Sequence, residues 1–441
     1  MVYRAMTVLR RSPLGLRLAR GTAWSLGSNV VSRLLGLATG IVVARLIGRQ
    51  AFGVLGIIQS TVSMFGVVAG FGTSAGAAKY VAEFRSNDPE RARNFMFLSA
   101  FLGATAGLAV ASILAGTSAH IARYALDAPE LTPLLRIAAA GLFFGALNGA
   151  QMGALTGLEA FKTIALIHAA AGALSVAVTV PLVYCWSLRG AVWAGLISSA
   201  SMCLIGGVCV RMQARKSGVP ANSRKRFSDL SVLWHFGVPA VLSGYMVAGV
   251  DWACRAILVN TQDGYAELGL FNAANQWRGA VLGVTGVFSS AAFPVLANLW
   301  GCRDMGRYRK TVSAALVSQT AASLVLGGAI ALCSTWIMTS YGESFSEGAT
   351  VLVLMMLVVA LSSPCSVVGQ AILSSGRIWA GFALNALWAV AMVGTAWSLA
   401  GFGAVGLAMA YVIAYVVHLL SVGLYFLLFV VKCPRTTEFS S

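Results

Sequence analysis

Charge is what this chain has least of. Only 10% of its 441 residues are Asp, Glu, Lys or Arg, where a soluble protein averages about 25%. Acids are the scarcer sign, with 14 Asp and Glu against 31 Lys and Arg. Together with 58% hydrophobic residues and a mean hydropathy of +0.80, this excludes a soluble globular protein. Four histidines (His120, His168, His235, His418) are scattered along the chain. Eight cysteines form no CxxC pair, and no Cys/His cluster has metal-ligand spacing. The pattern therefore gives neither a disulfide framework nor a metal site, and no cofactor is expected. Paired carboxylates, a nucleophile beside a base and a phosphate-cradling loop are all missing, which speaks against an enzyme.

Long apolar runs are what the chain does have. A membrane-spanning helix needs roughly 20 such residues. Runs of that length lie near 22–47, 51–80, 95–116, 134–156, 164–185, 191–211, 232–258, 267–297, 311–336, 348–372, 378–400 and 404–431. The expected fold is an all-α polytopic membrane protein of about twelve helices. One set of loops gathers Arg85, Arg91 and Arg93, then Arg211, Arg215, Lys216, Arg224, Lys225 and Arg226, then Arg303, Arg307, Arg309 and Lys310. Cytoplasmic loops concentrate Lys and Arg, so both termini are expected in the cytoplasm. The net charge of +17 is read the same way, not as a nucleic-acid surface. Residues 1–21, with Arg4, Arg10, Arg11, Arg17 and Arg20, read as a basic cytoplasmic arm and not as a cleavable signal peptide.

The chain repeats itself. Arg45 falls on Arg255, Phe52-Gly53-Val54-Leu55 on Leu268-Gly269-Leu270-Phe271, and Asp88, Arg91, Arg93 on Asp304, Arg307, Arg309. Gly157 falls near Gly376, and Gly190-Ala191-Val192 on Gly403-Ala404-Val405. Six helices per repeat is an even number, so the two lobes are expected to be parallel, a plan in which halves rock around a central site. The expected domains are the arm 1–21, an N-lobe 22–211, a cytoplasmic linker 212–231, a C-lobe 232–431 and a cytoplasmic tail 432–441. Small residues every fourth position (Gly141, Gly145, Gly149, Gly153, Gly157) suit close helix packing within a lobe or, alternatively, a dimer face. Pro181, Pro239, Pro294 and Pro364 fall inside spans, as static kinks or as hinges.

Arginine inside a span is costly and marks function. Arg33 lies near the middle of the first run, with Asn29 one turn before it. Arg278 lies at similar depth in the eighth, on a stripe with Asn272 and Asn275. Arginine presents paired donors to phosphate oxygens and cannot shed its charge. The expected substrate is therefore an anion, a phosphate or pyrophosphate, held by Arg33, Arg278, Asn29 and Asn275. Arg45, Arg255 and Asp251 are secondary candidates. Asp251 serves either in ion coupling or in a local salt bridge to Arg255. At these repeat offsets Arg33 falls on Ser243 and Arg278 on Val62, so the proposed pair is not itself duplicated.

Several passages resemble the oligosaccharidyl-lipid and polysaccharide flippases, of the superfamily that also holds multidrug and toxin extruders. They are Trp24-Ser25-Leu26-Gly27, Arg33-Leu34-Leu35-Gly36, Ala44-Arg45-Leu46-Ile47-Gly48, Gly70-Phe71-Gly72-Thr73-Ser74, Lys79-Tyr80-Val81-Ala82, Phe236-Gly237-Val238-Pro239 and Phe293-Pro294-Val295-Leu296. The resemblance implies a multi-pass carrier of the cell membrane that moves a polyprenyl-pyrophosphate-linked oligosaccharide outward by alternating access. It implies as partners that glycan, membrane lipid, and a glycan polymerase or glycosyltransferases. In the related peptidoglycan-precursor branch, arginines on the first and eighth helices line a cationic cavity, and Arg33 and Arg278 match those helices. A multidrug antiporter of the same architecture is the alternative. It would need membrane-embedded acids, in which this chain is poor.

Overall fold

The computed structural model describes residues 13–70, 72–220 and 230–431. The first twelve residues of the expected arm, nine residues of the expected linker and the expected tail lie outside the described residues, as do the side chains of Asn29, Pro239 and Pro294. The described residues are helices joined by short turns. Helix α1 spans Pro13–Gly70, α2 Thr73–Phe84, α3 Pro89–His120, α4 Thr132–Gly157 and α5 Phe161–Lys216. Then come α6 Leu230–Val259, α7 Gly264–Gly301, α8 Met305–Leu332, α9 Ser334–Ser340, α10 Ala349–Ser374, α11 Ile378–Ser398 and α12 Gly403–Tyr425. Eight stretches are long and apolar enough to cross a membrane, among the described residues. The chain is an all-α multi-pass membrane protein.

Two of these helices are pairs fused across a bend. Helix α1 breaks at Gly48 (φ 79°, ψ 171°), and α5 breaks at Trp186 and Ser187. These breaks fall where the apolar runs are interrupted, between 47 and 51 and between 185 and 191. The first helix starts earlier than its apolar run, at Pro13, so residues 13–21 of the expected arm are helical. The run 51–80 is cut in two, since α1 ends at Gly70 and Gly72 takes a left-handed φ of 63° ahead of α2. Glycine has no Cβ to clash there. By contrast Pro181 and Pro364 sit inside uninterrupted helix. Around Pro364, the Ser363 hydroxyl donates to the Val359 carbonyl (2.8 Å) and the Cys365 thiol to the Leu361 carbonyl (3.3 Å). These side chains engage carbonyls in the turn that a proline disturbs.

The chain divides into two compact units between Trp252 and Ala253, within α6. In the first, α4 packs along α3, α2 and α5. A Cβ on Gly103 would lie 3.0 Å from the Ala146 carbonyl oxygen, and one on Gly157 would lie 2.7 Å from Val81 Cβ. Trp252 donates its indole N–H to Thr61 Oγ1 (2.9 Å), fastening the first part of α6 to α1. In the second unit, α10 is the central helix, buried against α7, α8 and α12. Tyr308 of α8 donates to the Ala371 carbonyl (2.8 Å) from a fully buried position. Tyr341, after α9, accepts from Trp277 Nε1 (3.1 Å) and donates to Gln276 Oε1 (3.2 Å). Burial holds its hydroxyl above the ordinary phenol range, so it stays a donor.

The duplication has a sharp structural register. Asp88 and Asp304 each cap a helix by accepting the backbone N–H three residues on, from Arg91 and Arg307, both at 3.0 Å. Their separation is 304 − 88 = 216. Ser187 (φ 46°, ψ −127°) and Gly403 (φ 63°, ψ −139°) make the same unusual turn, and 403 − 187 = 216 again. Gly190 lies against the Leu182 carbonyl and Gly406, 216 residues on, against the Leu399 carbonyl, each leaving no room for a Cβ. The structural partner of Gly190 is thus Gly406, and the offset of 213 that pairs it with Gly403 is three residues short. The packing requirement fixes the register more tightly than a three-letter match.

Candidate functional site

Four of the residues expected at the site lie on α6 and α7: Asp251 within the first unit, and Arg255, Asn275 and Arg278 within the second. Helix α7 places Asn272, Asn275 and Arg278 three residues apart, close enough to the helical period to stay near one side. Asn275 Oδ1 accepts a hydrogen bond from Arg278 Nε (2.7 Å), and the Arg278 guanidinium lies 5.2 Å from the centre of the Tyr411 ring. The Tyr411 ring leans on Phe271, 5.5 Å between centroids. Arg255, on α6, is only 6% exposed. It donates to Asn272 Oδ1 (2.6 Å) and lies 5.3 Å from the Phe271 ring centre. The structure thus joins Arg255, Asn275 and Arg278 through Asn272, Phe271 and Tyr411. The attraction of a cation to a ring face grows as water is removed. Arg278 meets no carboxylate among the described residues. Asp251, half-buried, sits one turn before Arg255 on α6.

Arg33 and Arg45 lie on α1 in the first unit, and both side chains are exposed.

What the first unit holds instead is a cavity of about 550 Å³. One face of α1 lines it from Leu55 to Gly70, facing α4 at Gly141 and Gly145 and the second half of α5 at Gly195 and Ser199. No charged side chain and no aromatic ring lines it. Its polar groups are Gln59, Ser63 and Ser199, and Ser199 already donates to the Gly195 carbonyl (2.9 Å). The glycine stripe of α4 therefore splits. Gly153 and Gly157 press on α2 with no room for a Cβ, as close packing requires. Gly141, Gly145 and Gly149 have nothing within 4 Å of an added Cβ.

Three groups escaped sequence reasoning: Tyr411, Asn272 as the link to Arg255, and the cavity itself. Extending the repeat along α12 at the offset of 216 would have paired Tyr411 with Gly195 and marked both.

A family model described as polysaccharide biosynthesis protein matches residues 18–300. The EPS I polysaccharide export inner membrane protein EpsE of Ralstonia solanacearum is 24% identical over 93% of both chains. The protein of the same name from Ralstonia nicotianae is 28% identical over 87% of this chain and 88% of that one. Among solved structures, an inward-facing multidrug resistance MATE family transporter of the MOP superfamily superposes with a TM-score of 0.73, at 17% identity, over 92% of this chain and 96% of that one. A MOP superfamily transporter from Pyrococcus furiosus, whose title speaks of a binding pocket of reverse polarity, gives 0.70 at 17% identity over 96% of both chains. These structures share the fold. The chain belongs to the polysaccharide biosynthesis protein family, and is a membrane transporter of the polysaccharide-export type rather than an enzyme.

Proposed function

We propose that the chain flips a polyprenyl-(pyro)phosphate-linked oligosaccharide from the cytoplasmic to the outer leaflet of the inner membrane, by alternating access, for surface polysaccharide synthesis. Twelve spans in two parallel lobes, with both termini cytoplasmic, are part of this reading. The observation that carries it is Arg278. It is a half-buried arginine on the 38-residue helix α7, oriented by the Asn275 amide and the Tyr411 ring, with no carboxylate partner among the described residues. A fixed guanidinium of this kind is prepared for phosphate oxygens, which accept two parallel N–H bonds. Arg33, with Asn29 one turn away, supplies a second cation from α1. Arg255 supports the Arg278 side through Asn272 and Phe271. The Ralstonia relatives, named for polysaccharide export, agree with a glycan cargo. A polymerase or glycosyltransferases would act next to such a carrier.

The test is surface glycan in a strain lacking its own flippase. Arg278→Ala and Arg33→Ala should each reduce it to below a tenth at normal protein level, with Arg278→Lys intermediate because lysine cannot form the paired contact. Full activity of both alanine variants would remove the assigned site. The MATE-like fold motivates the second reading, a cation antiporter. Cationic-dye efflux that disappears in Asp251→Asn would favour it over the first.

A further inference from the structure

The first-unit cavity is unused by the anion site, and its chemistry is different. Protein interiors seldom leave voids larger than a water molecule. One of about 550 Å³ falls in the size range of ligand sites. Its lining face on α1 runs from Leu55 to Gly70, 15 residues and about 22 Å at 1.5 Å per residue. The space is an elongated cleft. That length suits an extended hydrocarbon chain lying along the helix. The wall is aliphatic: Leu55, Ile58, Val62, Val67, Leu142, Val192. Gly66, Gly70, Gly141, Gly145 and Gly195 notch it at intervals of about one turn, leaving room for side branches. In a chain carrying 31 cationic side chains, none lines it. Gln59 and Ser63, one turn apart, offer hydrogen bonds at one place along the cleft.

The duplication shows why the space exists. At the offset of 216, Val62 corresponds to Arg278, Gln59 to Asn275, Gly195 to Tyr411 and Ser199 to Tyr415. Where the second unit places two rings and a cation, the first places small, uncharged residues.

We infer that this cavity is a binding site for an uncharged, methyl-branched hydrocarbon chain, an isoprenoid segment of the lipid carrier. The inference rests on the proposed function for its choice of an isoprenoid. Its test needs neither pyrophosphate nor transport. The full-length protein is placed in nanodiscs of phosphatidylethanolamine and phosphatidylglycerol and labelled with diazirine-tagged geranylgeraniol, and the crosslinks are mapped by mass spectrometry. Labelling should fall within 55–70, 138–146 and 191–199, and excess untagged geranylgeraniol should remove it. Gly195→Tyr, which installs the residue of the second unit, and Gly145→Leu should each cut labelling at least fivefold. Gly149→Ala, which adds a methyl outside the cavity lining, should leave it unchanged. Crosslinks elsewhere, labelling insensitive to both filling variants, or equal labelling by a tagged straight-chain hexadecanol would each overturn the inference. Competition on the unmutated protein decides the matter even where a filling variant misfolds. Loss of the Arg278 prediction with labelling intact would refute the anion site alone.

Discussion

Two corresponding stretches, residues 55–70 with 191–199 and residues 271–286 with 407–415, started from one template and now differ in kind. The second is aromatic and charged: Phe271 and Tyr411 are buried against each other, the Tyr415 ring lies by Trp388, and Arg278 brings a cation. The first is open and neutral. Yet the frame around each is the same, down to the aspartate caps and the tight turns. Architecture and chemistry are therefore separable in this molecule. Hydrogen-bonded caps and close glycine contacts hold the frame, and the side chains facing the interior of each unit are left to vary.

The comparison can be broken or sharpened at several places. The largest effect is expected from emptying the filled side. Tyr411→Ala removes a buried ring, 2% exposed, and such truncations cost about 3–5 kcal/mol. Thermal unfolding in detergent should show a marked loss, whereas Gly195→Ala, at the corresponding open position, should change stability little. Equal effects would mean the two positions are not differently packed. Next comes the split glycine stripe. Gly153→Ala drives a methyl into the Ser74 backbone and should cost about 1–3 kcal/mol as overpacking, with reduced membrane yield. Gly145→Ala should be near neutral, and a similar loss at both would erase the distinction. Smaller again, Glu267 accepts the Ala404 N–H (2.7 Å) at the start of α12. Removing such an N-terminal acceptor by Glu267→Ala should cost about 1 kcal/mol. The smallest difference is expected within the shared frame. Asp88→Ala and Asp304→Ala should each cost about 0.5–2 kcal/mol, and by similar amounts. A large difference between them would weaken the claim of equivalent caps.

Much of this was legible in the sequence because membrane insertion writes itself in composition. The long apolar runs foretold an all-helical membrane protein, and Asp88 and Asp304 betrayed the repeat through their position ahead of an arginine three residues on. Arg278 and Asn275 drew attention because polar residues stand out in a largely apolar run. Tyr411 did not, since an aromatic residue inside an apolar run has an ordinary explanation as core packing. The cavity was invisible for a deeper reason. Gly141, Gly145 and Gly153 are the same letter, and only the neighbouring helix decides whether the missing side chain makes a contact or a space.

Ser187 stands in a turn built for another residue. Its φ of 46° and ψ of −127° belong to a region that suits glycine, and glycine is what stands at Gly403. The surrounding contacts hold the serine in a conformation that glycine adopts without strain. Replacing it, as Ser187→Gly, should raise the melting temperature by relieving the backbone. The turn is then a practical handle for anyone needing a sturdier carrier for purification.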